Sequence, residues 1–557
     1  MELKKIIELM IDIKKNYLKF FSIFFILIIS FVIALQLPGY NWETDYGHHY
    51  YISMFNGKET NLYLDFQFHK GPVSFLILDI LGLIINYGWK QSIISYFIIT
   101  CIFFFVVKYY INYELKNVLF TIISLVYFLA FFRNQGSNIF SDINLNIFLF
   151  LSFIFFIKFI DNLKYKNIFY FTFFFTLAIL CRIDIIFYFF PFFFIFILFL
   201  IREKKFKILN FKFILLNLII VLLTFFLLLF FYNYGIEDFI SSNIYFNLEY
   251  SKDYFKFKNI SYLYHLTPNK ILCLILIVKL LFYYKENLGV KKKIKSFLLI
   301  ITVFQIIFFL FKIEEFIFFN FLYLLEIVSL LYIFFLNKNY KNYKLLIAIV
   351  FKYTSIFIYL YAGSFKLNHV FILLLGFFIY YIFFIKFLIK TNWKFKKIII
   401  FLLIILSIDQ SVKIFNSLER PLERNNNIAL KYGINNFFYN PEIIKSNTVS
   451  SFILKNNSAV ICDRAWPHIF NNKRSNGFMF DWWFYDENKK ILNKDIIKNF
   501  HKDILNKKYG EIFLIDQGCV SKSIFSKSKL ITKLIKNSNI INTIDFFEYK
   551  FDVRKIK

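Results

Sequence analysis

The chain has 557 residues, of which 59% are hydrophobic and only 18% charged, with a mean hydropathy of +0.58 and a formal net charge of +30. These values exclude a disordered chain, a collagen-like chain and an ordinary soluble enzyme. Phe supplies 85 residues against 15 Gly and 7 Pro, and the Leu, Ile and Phe come in runs long enough to cross about 30 Å of hydrocarbon at about 1.5 Å per residue. A bilayer is therefore the expected solvent. In a soluble protein this basic balance would suggest nucleic acid; here the Lys and Arg sit between apolar runs, where they set orientation, and no nucleic-acid partner is implied.

In chain order the apolar runs cover residues 17–37, 72–87, 91–112, 117–132, 143–160, 167–181, 183–201, 209–232, 269–284, 296–311, 316–337, 343–361, 368–390 and 397–412. The first follows a basic start (Lys4, Lys5, Lys14, Lys15) and has no small-residue cleavage site behind it, so it reads as a retained span. Run 72–87 opens with Gly71-Pro72 and reaches only about 24 Å as a helix. The connections are short except 38–71 and 233–268, and basic clusters lie at the N-terminus, at 158–166, 202–207, 285–295, 338–344 and 390–397. If every run crossed, the N-terminal cluster would face one side and the other five the opposite side. If run 72–87 does not cross, all six share the cytoplasmic face, and the two long loops and the tail lie outside together. The expectation is thirteen spans, with the region 38–90 as the first outer segment.

After residue 412 the composition turns polar, and 413–557 reads as a small extracytoplasmic α/β domain with strands at Ser458–Cys462 and Glu511–Asp516 and a helix over Lys494–Leu505 between them. Cys101, Cys181 and Cys273 lie in or beside apolar runs and serve as small hydrophobes. Cys462 and Cys519, in the tail, pair only in an oxidising compartment. No internal repeat suggests the paired halves of a secondary transporter, and no Gly-rich turn suggests a bound nucleotide.

The first long loop reads Trp42-Glu43-Thr44-Asp45-Tyr46-Gly47-His48-His49, then Tyr63-Leu64-Asp65-Phe66, then Lys70-Gly71-Pro72 opening the next apolar run. An acidic residue just after the first span, an amphipathic helix, a Tyr-x-Asp-Phe step and a Lys-Gly-Pro helix start resemble the first outer loop of GT-C fold glycosyltransferases. Within that fold they are most similar to the bacterial branch related to protein O-mannosyltransferases and to the aminoarabinose transferase of lipid A. The resemblance covers the first 200 residues and extends to the rest only in layout. It implies a polytopic α-helical GT-C-like membrane protein with a C-terminal α/β domain, in the bacterial inner membrane. The implied reaction moves a sugar from a polyprenyl-phosphate donor to a hydroxyl of a glycan, lipid or protein acceptor.

That chemistry needs a carboxylate to take the hydroxyl proton and cations to hold the departing phosphate. Asp45 is the candidate base. Lys70, Arg133 and Arg182 fall at the outer ends of spans, where a phosphate with its tail in the bilayer would lie, and Arg matches phosphate oxygens in a fork that Lys lacks. By resemblance Asp142, in the second outer loop, joins Asp45 at the site, and Asp65 in the Tyr-x-Asp-Phe step contacts substrate. His48 and His49 share a helical face with Asp45 and read as polar contacts to sugar or phosphate; together with Asp45 they also form a weak divalent-metal set, whereas the resemblance implies no cofactor. Each of these positions also has a plainer reading: Asp45 as a helix cap, Lys70 as a snorkelling chain, Arg133 and Arg182 as interface anchors, Asp142 as a helix start. The Asp-Glu pair common in the family is absent, since Tyr46 follows Asp45.

Asp79, Lys279, Glu326 and Lys352 lie inside predicted spans, with an interhelical Glu326–Lys352 pair as the plain expectation and a proton or substrate path as its rival. Loop 233–268, with Glu237, Asp238, Glu249 and Asp253 among aromatics, reads either as a lid over the site or as an interfacial helix. Trp466, Trp482 and Trp483 in the tail serve either acceptor binding or packing. The rival to the transferase reading as a whole is a transporter or flippase of lipid-linked glycans.

Overall fold

The computed structural model describes residues 20–31, 33–34, 45–55, 71–133, 143–205, 211–232, 235–240, 244, 269–285, 292–311, 325–326, 328–329, 331–332, 343–361, 370–390, 397–406, 408–409, 412, 458–461, 494–517, 529–546 and 549–557. Within them the apolar runs are helical: α1 (Phe20–Phe31), α2 (Asp45–Phe55), α3 (Leu76–Ile85), α4 (Trp89–Leu115), α5 (Val118–Arg133), α6 (Ile143–Asn162), α7 (Tyr165–Cys181), α8 (Phe189–Glu203), α9 (Phe211–Phe231), α10 (Ile236–Ile240), α11 (Asn269–Lys285), α12 (Lys292–Phe311), α13 (Tyr343–Tyr361), α14 (Val370–Lys390) and α15 (Lys397–Leu406). Short 3₁₀ turns, Pro72–Phe75 and Ile183–Tyr188, lead into α3 and α8. Among the described residues four helical stretches are long and apolar enough to cross a membrane: Gln91–Leu115, Ile143–Asn162, Ile183–Glu203 and Phe211–Phe231.

Two of these show opposite environments. Helix α6 is buried along nearly its whole length, packed on α7 through Phe156–Phe171 (ring centroids 5.3 Å) and Phe148–Phe174 (6.4 Å). Helix α9 is apolar apart from Lys212, Asn217 and Thr224, yet Phe230 is 86% exposed, Phe211 79% and Leu227 62%. A water-facing side chain of this size forgoes about 1.5–3 kcal/mol, so a surface built this way is suited to lipid tails. The polar residue Asn217 on α9 points inward, accepting a hydrogen bond from Thr172 of α7 at 2.6 Å.

Aromatic stacking and close backbone approach hold the centre. Phe351 of α13 meets Phe153 of α6 and Tyr188 before α8, each at 4.7 Å. Helices α13 and α14 pack tightly because Gly376 has no side chain: a Cβ there would lie 2.4 Å from Ser355 Oγ and 3.0 Å from the Lys352 Cα, the small-residue packing expected between apolar helices.

At one end of the bundle the helix termini are tied by charge. Glu114 of α4 pairs with Lys344 of α13 (2.9 Å) and Lys386 of α14 (2.5 Å), and Asp161 of α6 pairs with Lys344 (2.7 Å) and accepts from Tyr113 (2.6 Å). Tyr343 at the start of α13 reaches Glu203 at the end of α8 (3.3 Å), and Phe282 near the end of α11 packs on Phe387 of α14 (4.7 Å). Four of the basic clusters, around Lys158, Arg202, Lys344 and Lys390, thus gather at one end, and helix α11 delivers Lys285 to it as well.

The C-terminal region forms a four-stranded sheet of order β1-β2-β4-β3, from Ala459–Ile461, Ile512–Asp516, Ser538–Phe546 and Tyr549–Ile556 (β1 to β4). β1 and β2 are parallel, with Val460 opposite Leu514, and helix α16 (Lys494–Leu505) lies between them in sequence. Helix α17 (Lys529–Lys536) precedes the antiparallel β3–β4 pair, which carries a register shift between Ile540 and Asn542. The strand, helix, strand order expected from sequence is present; the closing helix and hairpin are additions to it.

Candidate functional site

At the end of α6 opposite the charge cluster, three segments distant in sequence are joined through the backbone. The Gly71 N–H donates to the Cys181 carbonyl at the end of α7 (3.0 Å), Ser74 Oγ donates to the same carbonyl (3.1 Å), and Asn144 Nδ2 at the start of α6 donates to the Ser74 carbonyl (2.6 Å). Ser74 and Asn144 are buried, so each bond satisfies groups that would otherwise be costly to bury. Asn144 and Asp161 are 17 residues apart on α6, about 26 Å at 1.5 Å per residue, close to the thickness of a hydrocarbon core.

The contact is possible because residue 71 is Gly. A Cβ there would come within 1.7 Å of the Leu180 carbonyl oxygen and 2.6 Å of its carbon. Pro72 follows at a position where a helix start leaves its N–H unbonded anyway. The sequence Lys70-Gly71-Pro72 thus specifies both the docking of the turn on α7 and the start of α3.

Arg182, immediately after that docking point, is 10% exposed and forms a fork with Asp184: Nε donates to Oδ1 at 2.9 Å, and Nη2 pairs with Oδ2. Asp184, in the first turn of the following 3₁₀ segment, was not singled out from the sequence; its only signal is the Arg-Ile-Asp spacing that returns a side chain to the same turn. A guanidinium carries five N–H donors in one plane, and the Asp184 carboxylate fixes that plane.

Helix α2, which begins at Asp45, packs on the 72–75 turn and on α3. Tyr50 on α2 is clamped at Gly88, donating to its carbonyl and accepting from its N–H, each at 3.0 Å. Burial pushes the Tyr50 phenol above its ordinary pKa, so it stays protonated. His49 is buried, at 4% exposure, alongside Tyr50 and Tyr51.

The structure therefore brings together Gly71, the residue after Lys70; Asn144, two residues after Asp142; Arg182 itself; and the helix headed by Asp45. Arg133 is the last residue of α5, which follows α4 after a two-residue link and so ends on the same side as Asn144. Lys70, Asp65 and Asp142 lie outside the described residues, as do Cys462, Cys519, Trp466, Trp482 and Trp483, and the side chains of Asp45, His48 and Arg133 are likewise not described. Among the described residues no group of three or more His, Cys, Asp or Glu forms a metal-holding cluster.

The buried charges in the apolar helices differ from expectation in their pairing. Glu326 is paired directly with Lys279 (2.6 Å), both fully buried, and accepts from Tyr283 (3.1 Å), Gln305 (3.0 Å) and Tyr353 (2.9 Å). Lys352 instead lies over the Tyr380 ring at 4.0 Å, near enough to Glu326 to act on its charge. Glu326 takes Lys279 because α11 and α12 bring Lys279 and Gln305 to it as a pair, with Lys279 also donating to Gln305 at 2.6 Å.

No family model matches the chain, and no curated protein matches it at a significant level.

Proposed function

We propose that this chain is an integral-membrane glycosyltransferase of GT-C type, moving a sugar from a polyprenyl-phosphate donor to an acceptor hydroxyl on the extracytoplasmic face. The observation that carries the reading is the junction of Gly71, Asn144 and Cys181–Arg182. Three segments that the sequence nominates for one site, spread between residues 71 and 182, are joined at one end of the bundle: the 71–74 turn donates twice to the Cys181 carbonyl, and Asn144 donates to the Ser74 carbonyl. In this reading Asp45 takes the proton of the acceptor hydroxyl as it attacks the anomeric carbon, the bond to the donor phosphate breaks with inversion, and the electrons go to the phosphate oxygen. Lys70 and Arg182 neutralise that phosphate; Asp184 holds the Arg182 plane ready for it, and Asp142 aids positioning. No divalent ion is required by this scheme.

The gathering of basic clusters at the far end of the bundle supports a thirteen-span arrangement with those clusters cytoplasmic and the junction outside, since Lys and Arg favour the cytoplasmic side. It favours a run 72–87 that does not cross. The 72–75 turn that leads into α3 packs against α7 and α6, and the residues after α3, Tyr87 and Gly88, meet the same short helix α2 that packs on that turn. A domain boundary near residue 412, with the sheet outside, follows from the same orientation.

The test is Asp45→Asn in the producing strain, with mass spectrometry of envelope glycans. Loss of one glycan product at unchanged protein level and membrane insertion is the expected result; an unchanged glycan profile refutes the assignment and leaves a transporter of lipid-linked glycans as the better reading.

A further inference from the structure

Asp79 lies on α3, two turns beyond the Gly71 junction, and its two carboxylate oxygens are bonded to two different elements. Oδ1 accepts from Ser53 near the end of α2, and Oδ2 accepts from the Tyr232 hydroxyl, 2.5 Å away at the end of α9. Ser53 Oγ also lies 2.9 Å from the Tyr87 hydroxyl. Because Ser53 gives its single proton to Asp79, Tyr87 is the donor in that contact. The result is a chain Tyr87→Ser53→Asp79←Tyr232 linking α2, α3 and the start of the second long loop. From there α10 folds back on α9, with Phe239 against Phe225 at 5.5 Å.

We propose that Asp79 is a positioning residue, a two-sided acceptor that fixes both the helix headed by Asp45 and the entry to loop 233–268 against the Gly71–Arg182 junction. The proposal rests on the glycosyltransferase reading for its consequence in catalysis, but the latch itself is a structural statement. An ionised carboxylate offers acceptors on both sides; burial raises the Asp79 pKa to about 7, against the lowering effect of the Ser53 and Tyr232 hydrogen bonds, so the two-sided acceptor is fully formed above that pH. An Asn of the same shape turns an N–H₂ group toward one of the two hydroxyls and breaks the symmetry of the latch. A buried carboxylate is costly unless its oxygens are bonded in this way.

The experiment is amide hydrogen exchange on the purified full-length chain in detergent, together with envelope-glycan mass spectrometry of strains carrying the same variants. Asp79→Asn is expected to speed exchange in both α2 and α10 by about tenfold or more, through loss of hydrogen bonds to a charged acceptor, while α13, α14 and the C-terminal sheet keep their protection. Ser53→Ala should loosen α2 alone and Tyr232→Phe should loosen α10 alone. Asp79→Glu, which keeps the charge, should recover most of the glycan product that Asp79→Asn loses, a rescue that a mere space-filling role does not predict. Unchanged exchange in α2 and α10 for Asp79→Asn overturns the latch, as does equal loosening of both by Ser53→Ala. If Asp45→Asn leaves the glycan product intact while Asp79→Asn loosens both segments, the latch stands and the glycosyltransferase reading falls.

Discussion

Replacing Gly71 by Ala probes the junction at its tightest point. The added Cβ would sit 1.7 Å from the Leu180 oxygen, whereas ordinary contact begins near 3.4 Å. The turn must therefore retreat by about 1.7 Å, and the obstacle is backbone, which cannot swing aside as a side chain can. A retreat of that size takes the Gly71 N–H out of range of the Cys181 carbonyl and carries Ser74 away from both Cys181 and Asn144. Three hydrogen bonds at about 1 kcal/mol each, with at least one buried group left unsatisfied, amount to about 3–5 kcal/mol, against which Ala recovers less than about 1 kcal/mol from the unfolded chain. The assay is thermal unfolding of the purified protein in detergent, with Leu83→Ala on the exposed side of α3 as control, since Leu83 is 81% exposed. Gly71→Ala should melt several degrees lower and, where it still folds, should lose glycan product by about a hundredfold, because a shift of about 1 Å at the phosphate site is enough to spoil its geometry. A variant that melts and works like the wild type would show that the turn does not dock on α7.

Reporter fusions after residues 165, 206 and 290 should all report the cytoplasm; an outside signal at any two refutes the orientation. Lys279→Met should destabilise the protein by about 3–5 kcal/mol by stranding the Glu326 carboxylate, and the double variant Lys279→Met/Glu326→Leu should recover most of that loss in the same melting assay; a double variant as unstable as the single would show that the pair is not the unit of stability. In the C-terminal sheet, Lys555 and Lys507 hold the exposed Glu511 carboxyl below its ordinary value of 4.5. A group whose pKa is lowered by folding adds stability above its unfolded pKa and loses it as pH falls through the folded value. Glu511→Gln should therefore speed normalised amide exchange in β2 and β4 at pH 7, with the difference closing in acid; a difference that persists below pH ~3 contradicts the ion-pair origin.

The helices were legible because bilayer-length apolar runs carry one simple signal. Run 343–361 coincides with Tyr343–Tyr361 and the tail helix with Lys494–Leu505. The ends of α4 and α6 extend two or three residues past the predicted runs because Tyr113, Glu114 and Asp161 are polar in sequence yet belong to the charge cluster that ties the helices together, while Asn162 accepts from the Lys164 N–H and Asn167 at the turn into α7. Gly71-Pro72 announced a helix start but not its partner, since nothing in local pattern says that the gap left by a missing Cβ will be filled by the Leu180 carbonyl. The same limit hid Asp184 and Asn144, and the partners of Asp79. A polar residue in an apolar run is visible, but its partner depends on which helices pack, which is why Glu326 was matched with Lys352 when Lys279 was nearer. The β3–β4 hairpin was missed because its alternation, Ile540-Ile541-Asn542, is broken by the register shift.

The account turns on whether a lipid phosphate sits at the junction beside Arg182. Photo-crosslinking of the purified chain with a photoreactive undecaprenyl phosphate, followed by peptide mapping, measures this directly. Label confined to the peptides containing residues 70–75 and 182–184, competed away by unlabelled undecaprenyl phosphate and lost in Arg182→Ala, is the predicted result. Label spread along the exposed apolar helix α9, indifferent to competitor and to Arg182, would contradict it.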